Sequence, residues 1–381
     1  MKSLTAFLIS IFISTATFAK EVAVGLASNF SELSSSSSNP FGDYFRNGIQ
    51  LALKDAEARL ARKQLTIKLK EFDYGNSDTR VLDAARNAVA SDVVAVVGYN
   101  FSSHALLAAP IHQAGHLSMI TPSATANRVG SFGPYVHQGC FDNAFMGEAL
   151  ARIAHQKLKA SKAAIVVAAD CAYCTDLAKA FESEFRKNGG TVTVSTSVLV
   201  EDKDFAGAIE KLKAQPFDVV LVPNQELLSG RIIDALIRHG IRKPFLGGDG
   251  WGNTGTELFA HLDKQPLNGY SVSHWHPDET STRSKKFVAD YNKTFGKSPN
   301  DTAVLAYDSM SILIYALLRA PKITRAGVEE SLSQMKEFNG VSGHFLFQKN
   351  KAPRKSLIVL SPANSKFNVV ERMEPAAGGQ P

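Results

Sequence analysis

The sequence predicts an α/β protein built from two doubly wound parallel-sheet lobes that are joined by a three-strand hinge. An apolar strand, a loop and an amphipathic helix alternate through most of the chain, which is typical of parallel sheets with crossover helices. The alternation restarts after Cys140, so two similar halves are expected. The 381 residues, 44% hydrophobic and 20% charged, are enough for two cores, since one domain takes about 100 to 200 residues.

The N-terminus predicts a signal peptide over residues 1–19. Lys2 is followed by an apolar run at 4–13 and then by small residues up to Ala19. The run is shorter than the roughly 20 residues that a membrane span needs. We therefore expect cleavage after Ala19 and export to the periplasm.

The net charge argues against binding to nucleic acid or to a membrane surface. The formal charge is +6 at pH 7, and the basic residues are spread along the chain. This pattern indicates a solvated surface and argues against binding to nucleic acid. The apolar stretch at 310–318 is short enough for a buried helix. We expect a soluble monomer without a cofactor.

The periodicity predicts each element in turn. In the first half, strands are expected at 22–26, 67–72, 93–97 and 117–120, and helices at 45–60, 80–90 and 102–113. In the second half, strands are expected at 163–168, 191–200, 219–222, 244–246 and 270–273, and helices at 143–157, 175–187, 205–213 and 228–239. Two more helices are expected at 281–295 and 302–318, and antiparallel strands at 343–347 and 356–360.

This order of elements predicts the division into lobes. Residues 20–138 and 276–337 form the first lobe, residues 139–275 and 338–372 form the second lobe, and residues 373–381 form a disordered tail. The chain should cross between the lobes near 137–140, 270–275 and 335–340. The serine run at 34–38 predicts a flexible loop beside the cleft between the lobes.

Three cysteines allow one disulfide in an oxidising compartment. Cys171 and Cys174 have the spacing of a redox motif, but they follow a strand in mid-chain, which favours a structural role. Cys140 precedes the first helix of the second half and is expected at the same end of the sheet. We expect a bridge from Cys140 to one of the pair, with the short Cys171–Cys174 loop as the competing pairing.

Hydroxyl side chains follow two consecutive strands of the first half. Ser102 and Ser103 begin a helix, and Thr121-Pro-Ser-Ala-Thr125 follows the next strand. Hydroxyls and free N–H groups at a helix start favour a carboxylate. Because the carboxyl ends of parallel strands share one edge of a sheet, the two clusters predict an anion-binding site there. Each cluster taken alone is also compatible with a plain helix cap or turn.

Several motifs in order resemble the branched-chain amino acid-binding proteins of ABC transporters. They lie at 98–103, 119–125, 168–173 and 245–250, with further matches at 41–43 and 338–343. The similarity covers nearly all of the chain after residue 20. It implies the type I periplasmic-binding fold and a periplasmic protein that binds a small polar ligand, an amino acid, between its lobes. It also implies an inner-membrane ABC permease as partner.

The resemblance assigns roles residue by residue. Ser102, Ser123 and Thr125 would hold the carboxylate of the ligand, with Ser103 beside them. Thr125 and Asp249 would hold its ammonium group, and Tyr173 would cover the ligand from the second lobe. A buried ammonium requires an anionic partner, which agrees with this role for Asp249. The alternative for Asp249 is a turn residue in Gly247-Gly-Asp-Gly250.

Three positions depart from the family pattern and concern ligand specificity. Gln225 stands where an aromatic residue is frequent, and it suits a polar ligand side chain. Phe41 replaces a frequent Tyr or Trp, and Trp251 directly follows the acidic position. Both rings suit apolar walls or a cation-binding face. Ordinary packing is the alternative for each.

Two other functional classes remain as alternatives. A ligand-sensing subunit of a membrane receptor would use the same cleft. An enzyme on this scaffold needs a nucleophile or base, and the sequence contains no Gly-x-Ser-x-Gly elbow or phosphate loop. The histidine pairs 112/116 and 274/276 are unsuited to a shared metal. The helix is expected to end between the first two, and the second two alternate along an extended segment. We therefore predict a binding protein and no metal site.

Overall fold

The computed structural model describes residues 19–31, 40–75, 77–262, 265–348 and 351–374. The predicted signal peptide up to residue 18, the serine run and residues 375–381 of the predicted tail lie outside this part of the chain. Within it, helices cover parallel sheets in two lobes, so the predicted fold class is confirmed.

The strands and helices follow the predicted alternation. The strands are β1 (Lys20–Ser28), β2 (Leu65–Asp73), β3 (Ala95–Gly98), β4 (Ser118–Thr121), β5 (Val136–Gln138), β6 (Lys162–Ala168), β7 (Thr191–Val198), β8 (Val219–Leu221), β9 (Phe245–Gly247), β10 (Gly269–Ser273), β11 (Glu337–Asn339), β12 (His344–Gln348), β13 (Lys351–Lys355), β14 (Leu357–Ala363) and β15 (Lys366–Met373). The helices are α1 (Pro40–Arg62), α2 (Asp78–Ala90), α3 (Ser102–Ala114), α4 (Asn143–Gln156), α5 (Ala172–Lys187), α6 (Ala206–Lys213), α7 (Glu226–Arg238), α8 (Thr256–His261), α9 (Thr282–Phe295), α10 (Asp301–Arg319) and α11 (Arg325–Ser333).

Lobe 1 is a parallel sheet with the strand order β2-β1-β3-β4-β5. Every residue of β3 and β4 is buried, as expected for strands that helices cover on both faces. Gly98 ends β3 with φ +158°, and a Cβ there would lie 2.0 Å from the carbonyl oxygen of Ala27. Only glycine allows this close approach, which brings the start of α3 to the carboxyl edge of the sheet.

Lobe 2 is a seven-stranded sheet with the order β15-β14-β10-β9-β8-β6-β7. Strands β6 to β10 pair in parallel, whereas β14 and β15 join antiparallel at one edge. The sequence pattern did not identify β15, because the surface-facing residues of this edge strand break the apolar run. A core of β6, β8 and β9 with α4, α5 and α7 supports the lobe.

The chain passes between the lobes three times. The first passage follows β5 and the second follows β10, where Trp275 already packs in a lobe 1 cluster. The sequence predicts crossings near 137–140 and 270–275. The third prediction, at 335–340, is wrong: Phe338 and Phe345 pack against the core of lobe 1. The small antiparallel sheet β11-β12-β13 therefore belongs to lobe 1, and the chain crosses at Lys355–Leu357.

Helix α10 is long and apolar enough to cross a membrane by length and composition, but 67% of its apolar window is buried inside the protein. It packs along α1. A Cβ at Gly48 of α1 would lie 2.2 Å from the carbonyl oxygen of Ala303, so the two helices make direct backbone contact. We assign α10 as a core helix of lobe 1.

The disulfide joins Cys171 to Cys174, and Cys140 is a buried free thiol. The expected bridge to Cys140 is thus wrong. Cys171 caps the N-terminus of α5, where its Sγ accepts a hydrogen bond from the N–H of Cys174. The first turn of the helix brings the two cysteines together, with Cα atoms 5.2 Å apart, which lies within the range that a disulfide requires.

Peptide mapping without reductant is therefore expected to recover Cys171 linked to Cys174, with Cys140 alkylated only after unfolding. Because the closed loop is short, reduction should lower the free energy of unfolding by only about 2 kcal/mol. Recovery of a peptide linked through Cys140 would contradict the pairing.

His112 of α3 is fully buried between two hydrogen-bond partners. Its Nδ1 lies 3.0 Å from the carbonyl oxygen of Leu117, and its Nε2 lies 3.1 Å from the hydroxyl of Tyr99. Burial lowers the pKa of His112 to about 4, because charging the ring in the core is unfavourable.

This pKa predicts a stability difference between the wild type and His112→Gln. As pH falls from about 6.5 to about 4, the unfolded chain takes up a proton on His112 before the folded chain does. The wild type should therefore lose a few kcal/mol of stability over this window relative to the variant. Urea unfolding at several pH values measures the free energy of unfolding of both proteins. If His112 titrated normally, the difference between the two proteins would not change with pH.

Candidate functional site

The lobe 1 side of the site consists of two loops that are tied together. The Oγ of Ser102, at the start of α3, accepts a hydrogen bond from the N–H of Ala126 at 3.1 Å. The hydroxyl of Ser123 donates to the carbonyl of Asn100 at 2.9 Å. Ser103 is exposed on the first turn of α3. The two predicted hydroxyl clusters therefore do meet at one edge of the sheet.

Thr125 ends the second loop and is fully buried. Its Oγ1 has no hydrogen-bond partner among the described residues. Its carbonyl accepts a hydrogen bond at 2.7 Å from the N–H of Asn143, the first residue of α4 in lobe 2. A buried hydroxyl without a partner is unfavourable, so Thr125 is suited to a ligand at the boundary between the lobes.

The lobe 2 side contains Tyr173 at the start of α5. Its hydroxyl accepts a hydrogen bond at 3.0 Å from the N–H of Gly250, and its carbonyl accepts one at 3.2 Å from the side chain of Asn143. Burial, and then the nearby negative charge of Asp249, raise the pKa of Tyr173 well above its ordinary value. Tyr173 is therefore a neutral phenol. Asn143 connects it to Thr125.

Asp249 follows β9 in a short 3-10 turn. Its side chain is 12% exposed, and its Oδ2 lies 3.1 Å from the Nε2 of His274. Its Oδ1 is buried and has no hydrogen-bond partner in the described part of the chain. A carboxylate oxygen in this state is suited to a cationic donor.

Two glycines on the same turn make room for Tyr173. A Cβ at Gly248 would lie 2.4 Å from the hydroxyl oxygen of Tyr173, and one at Gly250 would lie 2.8 Å from its ring. The glycines around Asp249 therefore allow the turn to pack closely against Tyr173 of α5, in addition to allowing the turn itself.

Phe41 lies at the start of α1, and its ring stacks on Phe101 with centroids 5.2 Å apart. Phe101 directly precedes Ser102, so Phe41 lies beside the hydroxyl clusters. Its position is compatible with an apolar wall for a ligand.

Trp251 and Gln225 do not lie with the other predicted site residues. Trp251 is fully buried in the core of lobe 2, where its Nε1 donates to the carbonyl of Val222 at 2.9 Å and its ring stacks near Phe367. Packing accounts for it. Gln225 is the exposed N-cap residue of α7, and its side chain does not cap the helix.

Three polar residues at the site have no role predicted from the sequence: Asn100, Asn143 and His274. Asn100 and Asn143 each have a buried side-chain oxygen that finds no hydrogen-bond partner within the described ranges. His274 contacts Asp249 directly, although the two residues are 25 positions apart. Asn100 and His274 share one signal, a polar residue within two positions of the end of a strand, and this signal is too common to be selective.

Two partly buried carboxyl groups, one from each lobe, interact across the boundary between the lobes. Burial raises the pKa of Glu226, on the first turn of α7, to about 7. Burial also raises the pKa of Asp301, at the start of α10, to about 6, with a contribution from Asp249. A raised pKa favours the protonated form, so near pH 7 these two groups add less than their full negative charge to the site.

The two lobes are in direct contact near this site. The carboxylate of Asp176 on α5 accepts hydrogen bonds from the backbone N–H of Asn127 at 2.8 Å and from its side chain at 3.3 Å. A groove of about 600 Å³ lies elsewhere, on lobe 1, and is lined by Arg59, Arg283 and Tyr307 among others. It shares no residue with the site, whose assignment therefore depends on the polar groups described above.

Comparison with known proteins identifies the family. The model of the periplasmic binding protein family matches residues 21–365. This chain belongs to the periplasmic binding protein family. The match begins in β1 and ends before β15, so it includes both lobes of this binding protein and all three passages.

Individual relatives agree with the family. A Leu/Ile/Val-binding protein homolog of Brucella melitensis is 27% identical over 215 residues, which is 56% of this chain and 58% of that protein. The chain thus aligns with less than two thirds of that curated relative.

Solved structures match over a longer stretch. Leucine-binding LivK of Thermotoga maritima has a TM-score of 0.82 at 24% identity. The alignment covers 93% of this chain and 99% of the LivK chain. LivJ of Streptococcus pneumoniae, solved with isoleucine, has a TM-score of 0.81 at 26% identity. This alignment covers 93% of this chain and 100% of the LivJ chain. Together with the family match, these likenesses establish the two-lobed fold of the periplasmic binding proteins.

Proposed function

We propose that this protein is the periplasmic substrate-binding protein of an ABC transporter and that it binds an amino acid between its lobes. One observation carries the proposal: Thr125 Oγ1 and Asp249 Oδ1, an uncharged hydroxyl and an anionic oxygen, are both buried without hydrogen-bond partners among the residues that the structure describes. Through Asn143, Thr125 is joined to Tyr173, which contacts the turn that holds Asp249.

The chemistry of the two sides matches the two ends of an amino acid. The start of α3 would supply N–H groups to the carboxylate, and Ser102, Ser103 and Thr125 would donate their hydroxyl protons. Ser123 would join them by turning its hydroxyl away from the carbonyl of Asn100. Asp249, together with Thr125, would receive the ammonium group. Phe41 would contribute an apolar surface to the ligand side chain, and Tyr173 would cover the ligand from lobe 2.

Further parts of the proposal concern location and partners. Cleavage after Ala19 would leave β1 intact, because that strand starts at Lys20. The exported protein would act as a monomer and deliver its ligand to an inner-membrane permease. Sequencing of the secreted protein should start at Lys20.

Two alternatives are distinguished by experiment. A sensory subunit would bind the same ligand but dock on a receptor, so co-purification with a permease from membranes separates the two. An enzyme would release altered product, whereas a binding protein should return the ligand unchanged after prolonged incubation. We propose that this chain has no enzymatic activity.

Thermal unfolding with matched probes tests the ligand class. Leucine carries both charged groups, whereas isocaproate lacks the amine and isoamylamine lacks the carboxylate. A ligand that binds only the folded state, present at about 100 times its Kd, adds about 2.7 kcal/mol of stability. We expect a rise in Tm with leucine or another amino acid and little with either truncated probe. Stabilisation by isocaproate alone would favour a carboxylate ligand without an amine.

Ligand binding should also favour the closed arrangement of the lobes. A ligand that contacts Thr125 on lobe 1 and Tyr173 on lobe 2 binds the closed form more tightly, and this difference in affinity shifts the equilibrium. Small-angle scattering should then give a smaller radius of gyration with ligand, and Tyr173→Ala should weaken binding and reduce the change. An unchanged profile from an open free protein with a tight ligand would contradict closure.

A further inference from the structure

His274 is enclosed at the second passage between the lobes, directly after β10. It is 1% exposed, and its ring stacks on Phe141 with centroids 3.8 Å apart. Its Nε2 lies 3.1 Å from the Oδ2 of Asp249, and its Nδ1 is buried without a hydrogen-bond partner among the described residues. The packing thus leaves His274 one polar contact, which is with the carboxylate of the proposed site.

Hydrogen-bond chemistry determines which ring nitrogen carries the proton. An ionised carboxylate only accepts hydrogen bonds, so Nε2 must be the donor. The unpartnered Nδ1 would then be bare, because a second N–H in this apolar surrounding would be an unsatisfied donor. His274 is therefore a neutral ring of the Nε2–H tautomer.

The charge of the ring matters for the ligand. Burial lowers the pKa of His274 to about 4, although its hydrogen bond to Asp249 opposes this effect. The other ionisable groups near the pair are Lys355 on β13, Tyr173 on α5, Cys140 at the first passage and Asp301 on α10. A charged His274 would cancel the charge of Asp249, whereas a neutral donor fixes the carboxylate and leaves its charge available.

We propose that His274 is a positioning residue for the ligand: as a neutral donor it holds Oδ2 of Asp249, so that Oδ1 receives a primary ammonium group. The role rests on the proposed function, since it requires a ligand with an amine. His274 itself does not contact the ligand.

Nitrogen-15 NMR of the histidine rings tests the pair without a ligand. His274 should be neutral at pH 6 and protonated on Nε2. His112 is an internal control of the opposite tautomer, because its Nδ1 must donate to the carbonyl of Leu117 and its Nε2 must accept from Tyr99. A charged His274 at pH 6, or the Nδ1–H form, would overturn the proposal.

Two variants separate positioning from packing. His274→Gln keeps an N–H donor at similar reach and should bind leucine, or the amino acid with the largest Tm shift, within about threefold of the wild type. His274→Phe keeps a stacking ring but has no donor, and it should bind about tenfold or more weakly, as expected for the loss of a hydrogen bond to a charged group. Binding of isocaproate, which has no amine, should be equally weak in all three proteins.

The outcomes distinguish this role from the function itself. Equal losses in both variants, or none in either, would overturn positioning while leaving the proposed function intact. Binding of no primary amine by the wild type would refute the proposed function, and positioning would fail with it, although NMR still reports whether the pair exists. Circular dichroism of His274→Phe checks its fold, and the NMR result on the wild type does not depend on that variant.

Discussion

Asp249→Ala is expected to weaken amino acid binding by about tenfold to more than a hundredfold while the fold stays intact. The ammonium group would lose a charge-assisted hydrogen bond in a largely buried site, and such bonds are worth about 1.5 to 3 kcal/mol. The fold should survive because Asp249 lies in a short 3-10 turn, where the hydrogen bond of its side chain within the described residues is to His274. Isothermal calorimetry measures the change in affinity.

Asp249→Asn is the matched variant that keeps the shape and removes the charge. It should lose most of the affinity as well, since an amide does not neutralise an ammonium group. Asp218→Ala is a remote control, because its carboxylate binds the N–H groups of Ser161 and Lys162 at the opposite end of β6. Unchanged affinity in both Asp249 variants would remove this residue from the site.

The alternation of strands and helices was predictable because it depends on local apolar patterns. The buried strands β3, β4, β6 and β8 are short apolar runs, and the helices between them show amphipathic spacing. The elements that escaped prediction have weaker local signals. Strand β5 has three residues, and β13 contains a proline and three basic residues.

The site was predictable only in part. The hydroxyl clusters could be located because they follow consecutive parallel strands, whose ends share an edge. His274 and Asn143 could not, since their roles depend on contacts between distant segments. Trp251 was ambiguous for the same reason: its position next to Asp249 gives no information on which way the ring points, and the structure places it in the core.

The cysteine pairing and the third passage also depend on tertiary geometry. Position along the sheet suggested a bridge to Cys140, but the first turn of α5 already brings Cys171 and Cys174 together. The third passage occurs at Lys355–Leu357 because the aromatic residues of β11 and β12 complete the lobe 1 core. Apolar periodicity cannot say which of two cores a strand joins.

A buried ionic group stabilises this third passage. Lys355, at the end of β13, donates from Nζ to the Oγ of Ser342 at 2.6 Å, and that hydroxyl donates to Oδ2 of Asp308 at 2.6 Å. Asp308 on α10 also accepts the N–H groups of Val341 and Ser342 at 2.7 and 2.8 Å. Lys355 and Asp308 are fully buried, so each compensates for the charge of the other.

Asp308→Ala is expected to lower the free energy of unfolding by about 3 to 5 kcal/mol, because it leaves Lys355 buried without its counter-charge. Asp83→Ala is the control: Asp83 forms an exposed ion pair with Arg86, with both side chains at least 60% exposed, and its loss should cost less than about 1 kcal/mol. Urea unfolding at pH 7 measures both changes.

The same group predicts how the loss depends on pH. Burial lowers the pKa of Lys355 to about 8, although Asp308 acts to raise it. At pH 9 the lysine is mostly neutral in the folded protein, so less charge is left uncompensated, and the cost of Asp308→Ala should be smaller than at pH 7. The double variant Asp308→Leu with Lys355→Met removes both charges and should be more stable than Asp308→Ala. Two results together would mean that Asp308 acts through its backbone hydrogen bonds alone. The first is a loss of stability in Asp308→Ala that is independent of pH. The second is a double variant whose loss of stability equals the sum of the losses in its two single variants.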